Sequence, residues 1–190
     1  SNLTANGANI LDNVLNETDY VIASPSMSGV FVDGIQATIT GITQAGGTFI
    51  IGDDVDFTVS FSEPVSFTNN SAAIELIMET QNASPLYITN TTTAASTTHT
   101  FRYTVIAGDE DINGVSLGGS LIENTSSPTD AAGNTIDTTN AFNTYATTLV
   151  DAIIPTVTIA SSPTIDNNNE AAYIMSGTCS DNGEAVNVNI

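Results

Sequence analysis

The sequence has no lysine and no tryptophan, and only one arginine (Arg102), one histidine (His99) and one cysteine (Cys179). Against 21 acidic residues, that single arginine leaves a formal charge of −20. Nucleic acid and anionic membrane surfaces are recognised through Lys and Arg, so both are excluded as partners. One cysteine cannot build an intramolecular disulfide framework, and without lysine no Lys–Asn isopeptide cross-link can form. A lone histidine makes neither a transition-metal site nor a convincing Ser-His-Asp set, so no enzyme is expected. No apolar run reaches the roughly 18 residues of a membrane-spanning helix, and no signal-peptide pattern is visible. With five tyrosines and no tryptophan, little aromatic surface is left for stacking sugars.

What is present is 41% apolar and rich in Thr, Ser, Asn and Gly, a mixture that favours strands and turns. The stretch "DVDFTVSFS" sets Val55, Phe57, Val59 and Phe61 on one face and Asp56, Thr58 and Ser60 on the other. "AIELIME" alternates Ile74, Leu76 and Met78 against Glu75 and Glu79, and "TFRYTV" alternates Phe101, Tyr103 and Val105 against Arg102 and Thr104. Period-two patterning with one buried face marks antiparallel sheets. Gly46–Gly47, Asn69–Asn70, Asn113–Gly114 and Gly118–Gly119 read as turns or bulges. About seven short strands in about 120 residues predict an all-β fold, an immunoglobulin-like antiparallel β-sandwich. Residues 9–20, "NILDNVLNETDY", have the i, i+4 spacing of a short helix.

Two stretches repeat. "VDGIQATIT" from Val32 and "VDAIIPTVT" from Val150 match at Val, Asp, Ile and two Thr, with an offset of 118 residues. The chain therefore reads as three pieces of an array: 1–31 the tail of one repeat, 32–151 a complete repeat, and 152–190 the opening strands of the next. Aligning "MSGTCS" with "FTVSFS" puts Cys179 opposite Phe61, as a small buried core residue.

"IGDDVDFTVSFSEPVSF", "FRYTVIAGDEDINGVSLGGSLI" and "TDAAGN", closed by "LVDAIIPTVTI", resemble the tandem Ig-like repeats of giant bacterial surface adhesins. The resemblance spans nearly all of 32–158, and "SGTCSDNGEAVNVNI" resembles the start of a related Ig-like module. It implies an extracellular stalk attached to the bacterial cell surface, often calcium-dependent, serving adhesion or biofilm formation.

The densest chemistry lies in "AGDEDING". Asp109, Asp111 and Asn113 offer oxygens at alternate positions before the tight-turn Gly114, which is the first half of a calcium loop. An EF-hand would need Glu at the twelfth position, where Ser120 stands, so further ligands must come from elsewhere. In a sandwich, alternate loops gather at one end. The loop "GGTFIIGDD", the Asp109 loop and the exit at Asp151 should share the C-terminal end, joined by Glu184 of the next module. Asp33, Glu63 and Asp130 should gather at the opposite end. The expected cofactor is calcium at module junctions, and the expected partners are neighbouring Ig-like modules. Two readings follow: a structural stalk repeat, or a module that contacts a glycan or protein through exposed loops. Arg102 is expected to pair with a neighbouring carboxylate, and Glu75 and Glu79 to face solvent. The Thr runs are too irregular for an ice-binding face.

Overall fold

The longest period-two stretch forms the longest strand. In the computed structural model, which describes residues 32–139, 143–162, 164–168 and 176–180, Val55, Phe57, Val59 and Phe61 of strand β3 (Asp54–Val65) are buried and the residues between them are half-covered. β3 is flanked by β1 (Ile39–Thr43) and β6 (Ser96–Thr104). β5 (Leu86–Asn90), β4 (Ala73–Ile77), β8 (Ser116–Ile122) and β9 (Asn143–Thr144) continue a seven-stranded sheet in the order β1-β3-β6-β5-β4-β8-β9. A second sheet pairs β2 (Gly47–Phe49) in parallel with β10 (Thr148–Asp151), and β10 antiparallel with β7 (Glu110–Asp111). Two strands, β11 (Val157–Ser161) and β12 (Ser176–Cys179), form a third. The described residues contain no helix. Residues 9–20, the expected helix, lie outside the described residues.

The large sheet curls so that its two edge strands approach each other. Tyr145, just past β9, packs edge-on against Phe57 at 5.0 Å and donates from its hydroxyl to the Ile42 carbonyl at 3.2 Å. Between the sheets lies one apolar core drawn from every long strand, including Phe57, Ile74, Leu76, Ile88, Phe101, Leu117 and Val150. This is an all-β sandwich, as the alternation predicted. Gly118 and Gly119 fall where Ile74↔Leu121 changes to Leu76↔Leu117, so they lie in a β-bulge. Gly114 has φ 111°, and a Cβ there would stand 2.4 Å from the Ala146 Cα, so only glycine fits.

The chain divides into two units, residues 1–33 and 34–190. Of the first, only Val32 and Asp33 are described, both exposed. Within the second, the start of the sandwich recurs. β1 shifted by 118 residues is β11, residue for residue. The pairs Ile39↔Phe61 and Thr43↔Thr58 become Val157↔Cys179 and Ser161↔Ser176, each hairpin carrying one extra residue on its first strand. The lead-in is also copied. Thr38 N donates to Ser62 Oγ at 3.0 Å and Ser62 N to Thr38 O at 2.9 Å. Thr156 N likewise donates to Ser180 Oγ at 2.8 Å and Ser180 N to Thr156 O at 2.9 Å. Cys179 is half-buried, not buried. Its counterpart Phe61 is covered by Phe67 and His99, which come from later strands of the sandwich.

Candidate cation and junction sites

The loop after β2, the Asp109 loop and the exit of β10 share one end of the sandwich. β2 and β10 run side by side with Phe49 opposite Val150. Gly52 N donates to Val105 O at 2.9 Å, and Gly108 N to Ala152 O at 2.9 Å. At this exit end Asp109 is fully buried and Asp111 is 3% exposed. Their carboxylates turn into the protein. Asp109 Oδ2 accepts from the Tyr103 hydroxyl at 2.6 Å and Ile106 N at 3.0 Å, and Oδ1 from Asn82 N at 3.2 Å. Asp111 Oδ1 accepts from Gly114 N at 2.6 Å and Asn113 N at 3.2 Å. Backbone N–H groups and a phenol thus do locally what no lysine is present to do, since a buried carboxylate must find donors. Burial, then the hydrogen bond to Asp109, then the charge of Asp109 push the Tyr103 phenol well above its ordinary pKa.

Asn113 does not offer its side-chain amide to this pair; its Nδ2 donates to Glu79 Oε1. Glu79 also accepts from Ile112 N at 3.1 Å. Glu79 was expected to be solvated, yet it bridges β4's end to the acidic loop. Asp151 is exposed and stands directly opposite Glu110 across β7 and β10. Sequence reasoning passed over Glu110, because only the pairing of segments far apart in the chain brings it there. Like charges directly opposite each other destabilise a strand pair. Glu184 lies outside the described residues.

At the opposite end, Glu63 is half-buried at the end of β3, and Asp130 is buried in a loop joined to it by the Ser66 and Thr129 backbone pair. Glu63 and Asp130 bring a carboxylate oxygen each within 4.8 Å of one another. Asp130 already accepts from Ala132 N at 2.8 Å, Asn134 N at 2.9 Å and Asn134 Nδ2 at 2.8 Å. Burial alone would raise its pKa, but these hydrogen bonds, the Asn134 side chain first, hold it below the usual carboxylate value. With three of roughly four acceptor directions taken, Asp130 suits a cation more as a fixed negative charge than as an open ligand. Glu63 is the better oxygen donor for a hard cation.

The remaining polar residues have structural partners. Arg102 grips Asp56 with two hydrogen bonds, at 2.7 and 2.6 Å, and meets Asp54 at 2.7 Å. His99, 1% exposed, donates from Nε2 to the Val65 carbonyl at 2.8 Å and accepts at Nδ1 from the Thr92 hydroxyl at 3.2 Å. Asn90, in a glycosylation-type sequon, is 1% exposed and its amide nitrogen is bonded to two carbonyls, so it presents no acceptor for a glycan. An open groove of about 420 Å³ runs between β1 and β9, with Tyr145 its one aromatic residue. That ring packs on Phe57, so it offers no free stacking platform.

No family model matches this chain, and no curated protein or solved structure matches it either.

Proposed function

We propose that this chain is a structural segment of an extracellular bacterial adhesin stalk, made of tandem Ig-like repeats with calcium at their junctions, supporting cell adhesion or biofilm formation. The observation that carries this reading is the recurrence of β1, its hairpin partner and the Thr–Ser clamp at the offset of 118 residues. A second copy of the opening hairpin, four residues beyond the last buried residue of the sandwich, Ala152, fits modules threaded in series. An acidic chain with one arginine also suits a calcium-rich exterior better than any polyanionic partner.

Calcium is placed in this reading at two carboxylate pairs, Glu110 with Asp151 and Glu63 with Asp130. Each pair sets negative charge on negative charge, and a divalent ion offsets that repulsion. Asp109 and Asp111 are assigned the task of shaping the loop that presents Glu110. Extracellular calcium modules bind at about 10⁻⁴–10⁻³ M. At free calcium ten times the dissociation constant, a site adds about 1.4 kcal/mol of stability.

Antibody against this chain should label intact cells of the bacterium that makes it; labelling only after lysis would remove the stalk reading. Calcium should raise the melting temperature above that in chelator, with a smaller effect from magnesium, which dehydrates reluctantly. Asp151→Asn and Glu63→Gln should each reduce the shift. Identical melts in calcium and chelator would remove the metal from the proposal and leave the repeat standing.

A further inference from the structure

The exit end of the sandwich is apolar as well as acidic. Ile50 and Ile51 leave β2 beside Asp151 and Ala152, Ile106 follows Val105, which bonds to Gly52, and Ile153 and Ile154 follow Ala152. All five isoleucines are 45–63% exposed. Contiguous exposed apolar surface of this kind marks an interaction site.

We propose that this surface is the seat of the next β-unit of the same chain, the one opened by β11 and β12, and that apolar contact holds the junction independently of calcium. The proposal rests on the tandem-repeat reading above. The tether identifies the occupant. From Ala152 to Val157 the chain reaches at most roughly 18 Å, and Pro155 stiffens it. Whatever β11 opens must therefore stand immediately over Ile50, Ile51 and Ile106. The Thr156–Ser180 clamp fixes the near end of that unit beside the tether. Val157 and Ile159 of β11, both more than half exposed, add apolar surface on the facing side. The surrounding Asp53, Glu110 and Asp151 supply the polar rim such a contact needs.

The test uses the whole chain with isoleucine methyl groups labelled, and a soluble paramagnetic relaxation agent. The expected result is that the Ile50, Ile51 and Ile106 methyls relax several-fold more slowly than that of Ile112, which is exposed on another loop, and approach those of buried Ile74 and Ile88. The protection should be the same in calcium and in chelator, and Ile106→Asp should abolish it at Ile50 and Ile51 without lowering the sandwich's melting temperature. If the cross-strand contact of Val157 with Cys179 is present but these methyls relax like that of Ile112, the seat is overturned and the repeat survives. If that contact is absent and the methyls are exposed, both readings fall together. Protection lost on chelation would overturn the apolar seat and give the junction to the metal.

Discussion

Asp109 carries one of the 21 acidic side chains, yet it behaves as an acceptor hub and not as surface charge. Tyr103→Phe keeps the ring and removes one of its donors. The expected loss is about 1–3 kcal/mol, because the carboxylate stays buried and underbonded; urea unfolding of the pair of proteins measures it. At high pH the same contact works against the fold. A phenol whose folded pKa is raised contributes stability that is complete below its unfolded pKa of about 10 and is lost as pH rises through the folded value. Tyr103→Phe should therefore flatten the alkaline limb of the stability curve. Asp130 has the opposite sign. Its folded pKa lies below the ordinary 3.8, so its contribution is present above that pH and disappears as acid protonates the folded form. Asn134→Ala removes its leading donor and should make the acid limb shallower. Acid melts that superimpose on the parent would show that Asn134 does not hold that charge.

Strands and turns show which local signals carried weight. β3 followed its alternation along its length, because both neighbours pair with it and one face meets the core. The two-residue β7 has no such pattern; it exists because β10 and Thr80 supply partners for Glu110. Gly114 is the element-scale position with no substitute. Gly114→Ala would require a positive φ in an L residue and a clash with Ala146 backbone, so a loss of more than about 1 kcal/mol is expected. Chemical denaturation with an unchanged slope would place that loss in the folded loop. Ser62→Ala removes half of the clamp at the start of the sandwich and should cost about 1 kcal/mol.

The sandwich core is enclosed between Ala37 and Ala152. A chain of residues 32–152 should therefore fold cooperatively with β-type circular dichroism. Residues 153–190 should not fold alone, since every described residue there is exposed except the half-buried Cys179. A disordered 32–152 beside a folded whole chain would show that the core borrows from outside those limits. With a formal charge of −20 and one arginine, the molecule repels itself. Monovalent salt should raise the melting temperature gradually, by screening, while calcium acts at low concentration where screening is weak.

Sequence alone determined the strands, their buried faces, the acidity and the repeat, because each is local: side-chain direction alternates with position, charge adds, and an offset needs only comparison along the chain. It also placed the β2, Asp109 and Asp151 loops at one end, since strand direction alternates. Which way a loop carboxylate points is not local. Asp109 turns inward because Tyr103 and two backbone N–H groups wait there, and Glu110 faces Asp151 because β7 and β10 pair in one register, about 40 residues apart in sequence. Those contacts exist only once the sheets have closed over Phe57 and Phe101, so tertiary packing decided which carboxylates shape the loop and which remain to meet a cation.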